Sequence, residues 1–214
     1  MFKDFNARGV EVHSFKVPTE LELKHDYIWR HYIALPPRGK FGIFNRTHYE
    51  NVLVTRVHPE YIFSENIPTV RNLDDLNNDF YHNRMDRINA FENHLVENGT
   101  IVLKFFLNLS KEEQKNRLLR RLNLPEKNWK FSSGDLKERK LWDKYMFCYE
   151  DLLNRTSKEN ASWFIIPADD KPTARLLLAD IVLQELEKYN FAEPTLSQKD
   201  LNQLDEFKAQ LDNE

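Results

Sequence analysis

Residues 100–107, TIVLKFFL, are apolar apart from the opening threonine and one lysine, and they show almost no alternation. A strand with one face in water alternates apolar and polar side chains. A strand with almost no alternation is covered on both faces, as in a parallel sheet between helical layers. Three further runs are strand-like. Residues 10–17 (VEVHSFKV) alternate and are closed by Pro18, residues 41–44 (FGIF) stop at Asn45 and Arg46, and residues 162–167 (SWFIIP) are short and apolar.

Helical spacing fills the intervals. Thr19 and Glu22 stand at capping-box spacing, and Leu21, Ile28, Trp29, Tyr32 and Ile33 recur at helical intervals until Pro36. Ile88, Phe91 and Leu95 mark a helix ended by Asn98 and Gly99, and Ser110 with Glu113 caps an arginine-rich one. Leu141, Tyr145, Tyr149 and Leu152 share one face, as do Leu177, Leu178, Ile181 and Leu186. Leu201, Leu204, Phe207 and Leu211 give the tail helical spacing, which predicts a helix docked on the body. Residues 52–57 have β-branched strand composition but sit where a doubly wound chain places a helix, and helix is the reading adopted. Residues 59–83 read as a surface excursion. Strands interleaved with helices predict an α/β fold with a parallel sheet, whose ligands bind at the carboxyl ends of strands.

A chain of 214 residues suits one ordinary domain. With 31 basic and 34 acidic side chains, its net charge of −3 argues against general nucleic-acid binding, so any anion site is local. The only cysteine, Cys148, excludes an internal disulfide and a cysteine-based zinc cluster, and fits a reducing cytosol. No apolar run approaches the roughly 20 residues of a spanning helix. A cytoplasmic protein with no membrane or nucleic-acid partner is expected.

Two places carry candidate chemistry. Asn45 at a strand end can present an oxygen to a hydrated Mg²⁺, and Arg46 can balance phosphate charge. A turn asparagine beside a solvated arginine is the alternative. In KEEQKNRLLRRL, Arg117 and Arg121 lie one turn apart with Arg120 beside them, and Lys127 and Lys130 follow. Such a cluster suits a chain of phosphates, but it also suits a solvated basic face neutralised by Glu112, Glu113 and Glu126. His25, His48 and His58 have no metal-ligand spacing and read as polar or packing residues. Trp29, Trp142 and Phe91 fall on apolar faces and read as core. Trp129 is left between covering a base and fixing its loop.

The segments GVEVHSFKVPTE, GIFNRTHYENVLVTRVH, RINAFENHLVENGTIVLKFFLNLSKEEQKNRLL, PEKNWKFSSGDLKERKLWDKY and IIPADDK together resemble the family-2 polyphosphate kinases. The resemblance covers residues 9–189 in the family's order. It implies a three-layer αβα fold of the P-loop kinase kind, with a helical lid at about residues 110–135 in a domain of residues 1–190. A helical tail of residues 191–214 would follow. It implies Mg²⁺-dependent phosphoryl transfer between inorganic polyphosphate and AMP or ADP, giving ADP or ATP. Asn45 and Arg46 match the family's Walker B equivalent, and the IFNR form resembles the branch that phosphorylates AMP as well as ADP. Arg117 and Arg121 match lid arginines, with Arg120 beside them, and Lys127, Trp129 and Lys130 match a K-x-W-K lid segment. Leu124 departs from the aspartate usual before the lid proline.

The family's phosphate loop, G-x-D-x-x-G-K, has no counterpart among the glycines at 9, 39, 42, 99 and 134. FKDFNARGVEVHSF resembles the family just downstream of that loop's helix. The expectation is therefore a sheet lacking its central strand, exposed strand edges through which copies associate as a homo-oligomer, and impaired turnover. A polyphosphate-binding protein without catalysis is the alternative reading.

Overall fold

The computed structural model describes residues 7–189, 191 and 195–213. The opening of the FKDFNARGV segment and residue 190, at the expected domain boundary, lie outside the described residues. Among the described residues four five-residue strands form: β1 Val10–Ser14, β2 Phe41–Asn45, β3 Lys104–Asn108 and β4 Trp163–Pro167. β1 pairs in parallel with β2, Val12 opposite Ile43, and β3 in parallel with β4, Phe106 opposite Ile165. No ladder joins the two pairs among the described residues, so the fold is mixed α/β with parallel strand pairs in place of one continuous sheet.

Among the described residues, eight α-helices connect and follow the strands: α1 Trp29–Tyr32, α2 Glu50–Val57, α3 Asn78–Glu97, α4 Lys111–Asn123, α5 Ser133–Lys140, α6 Trp142–Thr156, α7 Lys171–Leu186 and α8 Gln198–Asp212. The chain divides into two compact units, Met1–Ala179 and Asp180–Glu214. In the second, Ser197 caps α8 by accepting from the amide of Asp200. No helix among the described residues is long and apolar enough to cross a membrane.

The core of the first unit lies between α2, α3 and α6. Val52, Leu53 and Val57 meet Tyr81, Met85 and Ile88, and Cys148 and Leu152 close the far side. The last two groups recur at intervals of three or four, which stacks them on one helix face. Burial of five residues of α2 outweighs the strand preference of its valines, so the helix reading of residues 52–57 holds. Burial pushes the Cys148 thiol above its ordinary pKa.

Local chemistry moves several expected boundaries. β1 ends at Ser14, and Val17 stands in solvent. Thr19 and Glu22 do exchange reciprocal capping bonds, but they start only a 3₁₀ turn, Glu22–Lys24. Asp26 then offers its carboxylate to the amides of Ile28 and Trp29, which breaks the expected long helix and restarts the chain as α1. Residues 59–83 are more than a surface excursion. Ile62, in the 3₁₀ turn Pro59–Glu65, is fully buried, and α3 begins at Asn78 with Asn77 as its cap. The apolar run at 100–107 becomes strand only from Lys104 onward, and Leu107 is largely exposed. Gly42 lets β2 pass the Pro36 ring, since a Cβ there would lie 2.7 Å from the proline Cδ.

Candidate active site

β2 ends in an elbow. Arg46 follows Asn45 with φ of 61°, the left-handed region that costs a residue with a Cβ about 1–2 kcal/mol. Such strain persists where the surroundings hold it, and here they are explicit. On the strand side, Asn45 gives its carbonyl to the amide of Phe15 and its side-chain amide to Ser14 Oγ at 3.3 Å. On the helix side, Thr47 Oγ1 accepts from the amide of Tyr49, and His48 and Tyr49 drive their rings into the interior. Arg46 itself is thrown outward, 62% exposed, with Glu50 Oε2 3.9 Å away. The Asn45 amide nitrogen is occupied, so its oxygen remains as a neutral acceptor.

Beneath the elbow lies a buried charge network. Glu92 on α3, 2% exposed, receives His48 Nε2 at 3.2 Å, the Tyr49 hydroxyl at 2.8 Å and Lys104 Nζ at 2.7 Å. Lys104 also donates to the Tyr49 hydroxyl and to the Thr156 carbonyl, and Trp163 donates to Thr156 Oγ1. One cluster thus gathers side chains from the β2–α2 elbow, α3, β3, the end of α6 and β4. Burial opposes the charge on Glu92, but the His48 hydrogen bond and the Lys104 ammonium outweigh it and hold the carboxyl below its ordinary value. Burial lowers Lys104, with Glu92 restoring part of the loss. His31, also fully buried, packs its ring against Phe15 and His48.

Sequence reasoning missed this network. Its signals were a lysine in the middle of TIVLKFFL and a glutamate on the apolar side of α3, both of which demand partners. His48 is a packing histidine, as read, though one with a carboxylate partner. His25 stacks on Trp29, and His58 meets Glu138 Oε2 at 3.0 Å.

The arginine-rich helix α4 starts at Ser110, whose Oγ accepts from the amide of Glu113. Arg117 is committed locally: Nε meets Glu113 at 2.7 Å, and a terminal nitrogen donates to the carbonyls of Ala168 at 2.7 Å and Asp169 at 3.0 Å. Arg121 instead reaches α5, pairing with Asp135 at 3.0 Å. The two arginines therefore serve different surroundings although they lie one turn apart. Arg120 is exposed. Lys127 and Lys130 ride on the 3₁₀ turn Pro125–Lys130, whose Asn128 caps the carbonyls of Arg121 and Leu122. Trp129 is 78% exposed, with its indole bonded to the Glu126 carbonyl and Lys130 Nζ 4.9 Å over its ring. Trp142, expected in the core, is half-buried and lines a cavity.

Two cavities open at this level. One of about 410 Å³ lies at the carboxyl ends of β3 and β4, where Ser110 donates its amide to Asp169. Arg117, Arg120 and Arg175 crowd Lys171 beside it, and their repulsion, Arg117 first, lowers the Lys171 pKa. The other, of about 280 Å³, lies between β3, α4, α5 and α6. Among the described residues no group of three or more histidine, cysteine, aspartate or glutamate side chains could hold a metal ion. Among the described residues, no hydrogen bond or ion pair ties Arg46 to α4, and its ion-pair partner is Glu50.

Residues 1–194 match the model of the family described as Polyphosphate kinase 2 (PPK2). The chain is 44% identical over 206 residues to an ADP-polyphosphate phosphotransferase of Rhodopseudomonas palustris, covering 96% of this chain and 70% of that one. It is 43% identical over 187 residues to an AMP/ADP-polyphosphate phosphotransferase of Meiothermus ruber, covering 87% of this chain and 64% of that one. Among solved structures, that of Polyphosphate Kinase 2 from Arthrobacter aurescens superposes with a TM-score of 0.80 at 36% identity, over 93% of this chain and 66% of that one. Parallel strand pairs and a match across nine-tenths of the sequence agree, and the chain belongs to the polyphosphate kinase 2 family.

Proposed function

We propose that the chain is the nucleotide- and polyphosphate-handling part of a phosphotransferase that moves a phosphoryl group between inorganic polyphosphate and AMP or ADP. The observation that carries this reading is Arg46: an exposed guanidinium held in left-handed backbone by a buried network, at the carboxyl end of a parallel strand. Strain kept at one residue whose side chain faces outward is the pattern of a placed functional group. The terminal P–O–P link of polyphosphate breaks and a new one forms to the nucleotide's terminal phosphate. Arg46 would stabilise the charge on the moving group, and Arg121, released from Asp135, would close over it with Lys127, Lys130 and Arg120. Arg117 would brace the turn after β4.

Mg²⁺ suits this chemistry by neutralising phosphate oxygens. The neutral oxygen of Asn45 fits a metal-bound water and not a direct charged ligand, so most of the ion's contacts would come from water and phosphate. The finer architecture proposed is a three-layer P-loop kinase sheet with residues 110–135 as lid, within a domain of residues 1–190 followed by a helical tail, in a cytoplasmic homo-oligomer.

The test pairs binding with transfer. The sequence holds no G-x-D-x-x-G-K loop, so turnover by the chain itself is expected to be low. Calorimetry with polyphosphate and with ADP, and luminescent detection of ATP from the two together, give the readouts. Arg46→Ala should lower transfer about 10²–10³-fold, with unchanged circular dichroism. Equal transfer by both proteins would remove Arg46 from the site. Polyphosphate binding with no transfer would support the second reading, a binding protein without catalysis, which the missing loop motif favours.

A further inference from the structure

We infer that Glu92 and Lys104 are positioning residues for Arg46, acting through Tyr49. This rests on the reading of Arg46 as a phosphate-facing group and adds the residues that put it there. Among the described residues, only Arg46 and Asn66 have positive φ without being glycine. Asn66 ends the Pro59–Glu65 turn and is an asparagine, a type that tolerates this region. Arginine is not such a type, and the left-handed region is disfavoured for it by a population factor of about 5–30. Something other than local preference therefore sets the Arg46 backbone.

The chain is clamped on both sides of the elbow. Upstream, the Asn45 carbonyl accepts from the Phe15 amide at 3.1 Å, which holds the end of β2 to the segment after β1. Downstream, the Glu50 amide donates to the Thr47 carbonyl at 3.0 Å and the Asn51 amide to the His48 carbonyl at 3.1 Å, so the chain turns helical almost at once. Those bonds are local and would form wherever α2 began. What fixes the place is Tyr49, the N-cap of α2, 5% exposed. Its hydroxyl donates to Glu92 Oε1 at 2.8 Å and accepts from Lys104 Nζ at 2.8 Å, while Lys104 reaches the second Glu92 oxygen at 2.7 Å. The start of α2, α3 and β3 thus meet in a closed ring of charge-assisted bonds on one phenol oxygen.

Apolar packing would not place the ring this way. Replacing a buried ion pair by apolar side chains often leaves stability unchanged or improved, so stability is a weak reason to keep Glu92 and Lys104 in the core. Directional bonds on the Tyr49 oxygen fix where its ring stops, and with it the start of α2. Lys104 is anchored in turn by the Thr156 carbonyl at 2.7 Å, and His48 Nε2 takes a second grip on Glu92 Oε1 at 3.2 Å. With the grip released, the elbow relaxes, and only the left-handed fraction still presents the guanidinium where the folded chain now holds it. The apparent affinity of any phosphate contact made through Arg46 falls by that fraction.

Calorimetry with tripolyphosphate on the full chain, with and without Arg46, tests this. Arg46→Ala should weaken binding about 10- to 100-fold, the scale of a charge-assisted contact. Glu92→Gln and Tyr49→Phe should each weaken it about 5- to 30-fold in the presence of Arg46, and by less than about twofold once Arg46→Ala has been made. Tyr49→Phe deletes one oxygen and keeps the ring, so it decides the matter if Glu92→Gln fails to fold. Met85→Ala, in the apolar core on the same helix α3, lowers the melting temperature by opening a cavity and should leave affinity within about twofold. Network variants that bind like wild type while Arg46→Ala does not would overturn the positioning role and leave Arg46 standing as a phosphate contact. Equal losses with and without Arg46, or a matching loss in Met85→Ala, would overturn it too, since the loosening would then be general. Arg46→Ala binding as tightly as wild type would bring down both the contact and its positioning.

Discussion

Exchanging Glu92 for Gln strips the buried network of its only anion while keeping its shape. Lys104, 6% exposed, then faces the Tyr49 hydroxyl, the Thr156 carbonyl and a neutral amide. Removing one partner of a buried pair costs about 3–5 kcal/mol, because the other charge stays desolvated. The lower end applies here, since the Lys104 pKa is already depressed by burial and the ammonium can shed its proton when Glu92 no longer holds it. Lys104→Met strands Glu92 with His48 and Tyr49 as remaining donors, so a cost of about 3 kcal/mol is expected there too. In the double variant both charges are gone, and the loss should be about that of either single one, giving a coupling energy of about 3 kcal/mol. Domains of this size are stable by about 5–15 kcal/mol, so each variant stays measurable. Urea unfolding at pH 7, followed by tryptophan fluorescence with Trp163 5.2 Å from Lys104 Nζ, supplies the cycle. Single losses that add to within about 0.5 kcal/mol would refute the coupling.

The His31 imidazole, with no exposed surface, is pushed down to about 3 by burial, with His48 and Arg30 adding to the effect. Its folded pKa lies below the unfolded 6.5, so its contribution is complete above pH 6.5 and is lost as pH falls toward 3, by about 2 kcal/mol at pH 5. His31→Gln should flatten the stability–pH curve by that amount relative to wild type, and parallel curves would contradict it. At the elbow, Arg46→Gly should be more stable than Arg46→Ala by about 1 kcal/mol in thermal unfolding, since only glycine relieves the left-handed backbone. Equal melting temperatures would mean that the elbow carries no strain.

Much of the molecule was legible because its signals are local. Apolar runs ending in Asn45 or in Pro167 announced β2 and β4, and Ser110 announced the start of α4. Arg46 was legible as a strand-end charge. What failed to show were decisions made by distant partners. Nothing near Arg117 in sequence says that it will brace the carbonyls of residues 168 and 169 while Arg121 turns to Asp135. The lysine in TIVLKFFL signals a buried charge, but its carboxylate comes from another helix. The break in the helix expected after Thr19 was written in Asp26, whose side chain competes for two amides, a contest that apolar periodicity does not register.

The lone thiol of Cys148 sits at 3% exposure on α6, with its ionisation suppressed by burial. A thiol reacts as its thiolate and only when a reagent can reach it, so in the native chain it is silent, and its labelling rate counts the moments at which α6 parts from α2 and α3. The same helix carries Trp142, Tyr145 and Tyr149. A single native atom thereby serves as a built-in clock for the opening of that helix, read by mass as a thiol reagent adds to it, with no residue changed to install the label.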